Sequence, residues 1–144
     1  MYREIEQAIV NQLAPLQAEN LFHLFNAPDT RNVLNPQAKA MLFFAGESFA
    51  PPIPNIGRVN TNPVKLHQDS TLQWAIVVDL VNLQTHAPIY PLLEAIQNTL
   101  SGFAPQVQGL TLGYLVPESV NFISLAEGAK WKYRLNFSLK KYSR

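Results

Sequence analysis

The stretch Lys130-Trp-Lys-Tyr-Arg-Leu-Asn-Phe-Ser-Leu-Lys-Lys-Tyr142 constrains the fold more than any other part of the chain. Its odd positions carry Trp131, Tyr133, Leu135, Phe137 and Leu139, and its even positions carry Lys130, Lys132, Arg134, Asn136, Ser138 and Lys140. Successive side chains of extended backbone point to opposite sides, so a period of two means a strand with one buried and one wet face. A helix would scatter the same apolar groups around its circumference. Burying all of them at ~1.5–3 kcal/mol each contributes on the order of 10 kcal/mol, an upper bound because the unfolded chain is itself compact. A slip of one residue would forfeit that term and turn cations inward, so the register is strongly specified.

The rest of the chain must supply the surface that this strand packs on. Ile5, Ala8, Ile9, Leu13 and Leu16 fall at helical spacing, and Pro15 should end or kink that helix near Gln12 to Ala14. Asn20 to Phe25 reads as a short strand or as a continuation of the helix, and its aromatic content favours the strand. Ala27 to Pro36 is turn chemistry. Ala38 to Ala45 is apolar enough on both faces for a central strand, with Gly46 as its stop.

From Glu47 to Pro63 the chain carries Pro51, Pro52, Pro54 and Pro63, which favour an extended form and block regular pairing. A structureless stretch of that length is usually a binding element or an arm. Leu72, Trp74, Ile76, Val78 and Leu80 then alternate through the most apolar strand, which belongs at the sheet centre. Thr85 or His86 caps a following helix, with Pro88 in its first turn, a buried stripe of Leu92, Leu93, Ile96, Leu100 and Phe103, and Gly102 as its stop. Leu110, Leu112, Tyr114 and Val116 alternate again, and Pro117-Glu118 should break that strand. Val120 to Leu125 resumes it before Glu127-Gly128 turns into the terminal strand. The expected architecture is α+β: a mostly antiparallel sheet with two main helices on one face, and 1–144 as a single domain.

Composition limits the function. A net charge of +1 gives no global attraction to nucleic acid or to a membrane, so an electrostatic partner must use a local patch. The absence of cysteine excludes disulfides, thiolate metal sites and a cysteine nucleophile. Met-Tyr-Arg-Glu-Ile-Glu at the start lacks the apolar core of a signal peptide, which points to a soluble intracellular protein or one released by lysis. His23, His67 and His86 have no metal-type spacing, and no nucleophile elbow or phosphate-binding glycine loop is present. Glu47 and Glu118 each neighbour a serine, but no pattern links either to a histidine. The chain therefore reads as a non-enzyme without metal or cofactor.

Two stretches remain as candidate interfaces. One is the proline-rich arm, through Phe49, Pro51, Pro52, Ile53, Pro54, Ile56 and Arg58. The other is the basic side of the last strand, through Lys130, Lys132 and Arg134. That basic side fits a solvated face kept from aggregating by its lysines, a protein interface, or a nucleic-acid-binding surface. Trp131, Tyr133 and Phe137 lie on the opposite face from the cations, whereas single-strand binders place aromatics beside them.

Several local phrases, taken in order, resemble the phage tail terminator (tail-completion) proteins of Mu-like phages and prophages. These are Pro36-Gln-Ala-Lys-Ala-Met-Leu-Phe-Phe-Ala-Gly-Glu-Ser-Phe49, Gln73-Trp-Ala-Ile-Val-Val-Asp-Leu-Val-Asn82 and Leu92-Leu-Glu-Ala-Ile-Gln-Asn-Thr-Leu-Ser-Gly-Phe103 with Pro105 beyond. Glu118-Ser119 and Gly128 to Phe137 are similar to the closing hairpin of that family. The resemblance runs from about Pro36 to Lys140. It implies an α+β subunit that assembles as a homo-hexameric ring, caps the tail tube and sheath, and presents the surface that joins the head. Its implied partners are further copies of itself, tube and possibly sheath subunits, and head-completion proteins, with DNA only as passing cargo and no membrane. It implies neither catalysis nor cofactor, and residence in the host cytoplasm before the virion or tail-like particle.

Overall fold

The computed structural model describes residues 1–19, 22–24, 38–52, 67–81, 85, 87–126 and 130–143. Helix α1 (Tyr2–Ala18) is followed by β1 (His23–Leu24), β2 (Ala38–Phe49) and β3 (Ser70–Val81). A 3₁₀ turn (Ala87–Ile89) leads into α2 (Tyr90–Leu100), and β4 (Thr111–Leu112), β5 (Val116–Ala126) and β6 (Lys130–Tyr142) complete the described elements. The sheet runs β1-β2-β3-β6, and the far side of β6 pairs with β4 near one end and with β5 along the rest. All these pairings are antiparallel except the short β1–β2 contact. The α+β expectation is met.

Register divides the sheet into two faces. Leu135, Phe137 and Leu139 stand opposite Ile76, Trp74 and Leu72 of β3, which stand opposite Leu42, Phe44 and Glu47 of β2. Apolar side chains of this face share one core with Ile5, Ile9, Val10 and Leu13 of α1 and with Leu92, Leu93, Ile96 and Leu100 of α2. Both helices therefore cover the same face. The alternation in β6 is correct in register but not in coverage. Leu135, Phe137 and Leu139 are fully buried, whereas Trp131 and Tyr133 are only half-buried. Leu80 and Val78 opposite them on β3 are buried, so cover is lost on the β5 side of the sheet.

Three local expectations are corrected. Pro15 lies inside α1, which continues to Ala18. The buried stripe from Ile5 to Leu13 holds the helix, and Leu16 extends it by packing against the core. Gly46 does not stop β2, and Glu47, Ser48 and Phe49 belong to the strand rather than to the loop after it. Gly46 has φ 152°, and the pairing with β3 skips Ala45, so a β-bulge absorbs one residue while the ladder resumes at Gly46↔Gln73. Pro117-Glu118 does not break β5 either, because among the described residues that strand pairs on one side only, and proline is tolerated at an edge. Two further bulges skip Glu118 and Ile123.

The 110–116 alternation is also replaced. Thr111–Leu112 is a two-residue strand, Leu115 is the buried residue, and Tyr114 and Val116 point outward. Among the expectations met, β3 is central and paired on both sides. The capping expectation is corrected: α2 opens at Tyr90 with Ile89 as its N-cap and no side-chain cap bond. The 3.2 Å bond that Thr85 Oγ1 accepts from the Ala87 amide instead precedes the 3₁₀ turn, and His86 lies outside the described residues. Gly102, at φ 79°, turns the chain so that its amide donates to the Leu115 carbonyl at 2.8 Å. The stretch 27–36 and the turn 127–129 lie outside the described residues.

Candidate assembly surfaces

The arm begins where β2 ends. Phe49 closes the strand opposite Ser70 and is 60% exposed, and Pro51 and Pro52 follow it in the open without assigned secondary structure. The Ala50 amide donates to the Asp69 carbonyl at 2.9 Å, and Gln68 Nε2 donates to the Ala50 carbonyl at 3.0 Å. These bonds hold the two ends of the segment together between adjacent antiparallel strands. Ile53, Pro54, Ile56 and Arg58 lie outside the described residues. Beside Phe49, a depression of about 340 Å³ runs past Asp69 and Thr71 to Lys140 and Tyr142.

Lys130, Lys132 and Arg134 share the sheet face turned away from the helices, as their alternation with the buried Leu135 requires. Lys130 is exposed, and Lys132 and Arg134 are half-buried. Register sets Asp79 between Lys39 on β2 and Lys132 on β6, so this carboxylate stands among bases. Arg134 Nε donates to Asn136 Oδ1 at 2.8 Å, and its guanidinium lies 5.2 Å from the centre of the Phe43 ring. Phe43 is an aromatic on the cation face that the last strand's own pattern did not reveal, because it arrives from β2. On the same face the bulge residue Glu118 accepts from Ser138 Oγ at 2.5 Å, and Ser119 Oγ accepts from Asn136 Nδ2 at 2.9 Å.

Glu47 occupies the helix side, at the end of the sheet. Its carboxylate, 5% exposed, accepts from Ser70 Oγ at 2.6 Å and from the Tyr2 hydroxyl at 2.5 Å, and meets Lys141 Nζ at 3.0 Å. Burial alone would raise its pKa, but the bonds from Ser70, Tyr2 and Lys141 outweigh that and hold it below the ordinary glutamate value. The same contact raises the Tyr2 pKa, since the hydroxyl donates to an anion. Tyr2 also stacks on Phe44, ring centres 4.5 Å apart. The cluster fastens the start of α1 to three strands. No group of three or more histidine, aspartate or glutamate side chains among the described residues could hold a metal.

Sequence reasoning missed the fourth surface, the outer side of β5. Val120, Phe122, Ile123 and Leu125 are between 38% and 53% exposed. Phe122 lies 5.5 Å from the Tyr133 ring centre and 6.3 Å from that of Trp131, so the half-buried aromatics of β6 continue outward onto β5. The available signal was the lack of charge from Ser119 to Ala126.

No protein-family model and no curated protein matches this sequence. Among solved structures, it is similar to a chain in the virion of a native gene transfer agent (GTA) particle. That match has a TM-score of 0.63 at 12% identity and covers 96% of this chain and 95% of the other. The two chains share a fold. At this identity the likeness is one of fold, along nearly the whole length of both chains.

Proposed function

We propose that this chain is a structural subunit of a phage-type tail or tail-derived particle, assembling as a ring that caps the tail tube and sheath and fixes the tail end. The observation that carries the reading is the near end-to-end likeness to a chain of a virion. The resemblance of Pro36–Phe49, Gln73–Asn82 and the closing hairpin to tail terminators supports the finer role. In this reading the chain acts as one unit, partners further copies of itself, tube and sheath subunits and head-completion proteins, and has no catalytic task. No helix among the described residues is long and apolar enough to cross a membrane.

Phe49, Pro51, Pro52, Ile53, Pro54, Ile56 and Arg58 then serve as a clamp on a neighbour or on the tube. An extended proline-rich segment loses less conformational entropy on docking than a flexible one. The alternative is a nucleic-acid-binding domain using Lys130, Lys132 and Arg134. Arg134 is held by Asn136 and Phe43 but keeps its charge, so the trio offers three cations to phosphate. Three contacts give a log–log salt slope of only about −3, which favours the assembly reading.

Light scattering across a concentration series, with negative-stain microscopy, tests the assembly. The expected result is rings with six times the 16.2 kDa subunit mass, alone or seeded by tail tubes. A protein that stays monomeric even with tubes present would sink the reading. Tight binding of DNA that survives physiological salt would favour the alternative.

A further inference from the structure

The sheet ends at β5, and the way it ends is unusual for a chain that stays single. β6 pairs along one side of β5, and none of the described residues pairs with its other side. An exposed strand edge is a template for another chain, and proteins that remain monomeric blunt it with charges, prolines or bulges. Here Pro117 and Glu118 stand at one end, and Glu118 is folded back onto Ser138. From Ser119 to Ala126 there is neither charge nor proline, and a single bulge at Ile123 is what interrupts the ladder. Val120, Phe122 and Leu125 lie opposite Leu135, Tyr133 and Trp131, on the helix side of the sheet but beyond the helices, and form an apolar ledge along the edge.

A different apolar surface lies on the far side of the sheet. There β2 exposes Phe44 and Phe49 (36% and 60%) on the helix side, with Tyr2 stacked on Phe44. Two unlike apolar surfaces at opposite sides of one sheet are what a head-to-tail contact needs, and such a contact repeats until a ring closes or a filament grows.

We infer that the outer edge of β5, with the Phe122 ledge, is the seat for a second copy of this chain, which docks through its β2 side. The inference rests on the ring reading above and names its contact surface. Size argues for a ring rather than a pair. An eleven-residue strand is about 36 Å long and a sheet about 10 Å thick, so the edge offers on the order of 400 Å². That falls short of the ~800 Å² per partner of a stable two-body interface, so one contact is marginal and closure, which gives every subunit two contacts, is needed for a stable particle.

The test uses the full chain, with circular dichroism and thermal melts confirming that each variant folds. Phe122→Asp and Phe49→Asp should each abolish rings and leave the 16.2 kDa monomer by light scattering. Leu125→Lys repeats the first test should Phe122→Asp fail to fold. Each single variant keeps one working surface, so added in equimolar amount to wild type it should cut ring yield at least several-fold. The Phe122→Asp/Phe49→Asp double variant should not. Rings formed normally by folded Phe122→Asp or Leu125→Lys overturn the β5 seat while leaving the ring reading intact. Normal rings from Phe49→Asp, or dimers that it forms by β5–β5 pairing, overturn the head-to-tail contact. A wild type that never self-associates overturns both readings.

Discussion

The Lys141 ammonium lies 3.0 Å from the Glu47 carboxylate although their strands, β6 and β2, are separated by β3 and never pair. Ser70 of the intervening strand donates to the same carboxylate, and Tyr2 brings in the first helix. A single side chain thus ties four elements at one end of the sheet. Breaking it leaves several polar groups short of a partner at once.

Glu47→Gln should therefore cost about 1–3 kcal/mol at neutral pH, the usual range for stranding buried hydrogen-bonding groups. The folded-state pKa of Glu47 is depressed, so its ionic stabilisation is fully present above the ordinary glutamate value of 4.5 and is lost as pH falls through the lower folded value. Denaturant titrations of wild type and variant at a series of pH values check this. The gap between them should narrow below that value, and a gap unchanged in acid would rule out the ionic account.

Gly46→Ala isolates backbone strain from crowding. A Cβ built there meets nothing within 4 Å, yet φ is 152°, where L residues are rare. The expected cost is about 1–3 kcal/mol with an unchanged denaturant slope, because the bulge must be held in a conformation that alanine disfavours. A neutral substitution would mean that the bulge relaxes freely.

Trp74 is 1% exposed and its indole Nε1–H finds no hydrogen-bond partner among the described residues, so the core they form carries an orphan donor. Trp74→Phe removes that donor while keeping an aromatic next to Phe44, whose ring centre is 5.4 Å away. Its cost should stay well below the ~3–5 kcal/mol of Trp74→Ala, since relieving the donor offsets part of the lost volume. Equal losses for the two variants, measured by urea unfolding, would contradict this.

Much of the fold is legible in local pattern. The period of two in β6 and β3 and the Leu92–Leu100 stripe of α2 are set by neighbouring residues alone, and each lands on the face its spacing required. Breakers were misread for one reason. Pro15, Gly46 and Pro117 signal only that regular bonding is interrupted, whereas a packed stripe, a bulge or an edge position decides whether the element continues through it. Of the candidate site, Phe49 and the basic strand stood out in sequence. Glu47 did not, because its partners Tyr2 and Ser70 are 45 and 23 residues away.

The sequence by itself determined the register of Lys130–Tyr142, because a one-residue slip exchanges every buried group for a polar one. It could not determine how far burial extends. Trp131 and Tyr133 obey the same alternation as Leu135 and Phe137, yet they open onto the exposed Phe122 and Leu125. Alternation reports which side of a strand is apolar, and only the placement of α1 and α2 decides where the cover stops. That boundary leaves the edge of β5 to a partner.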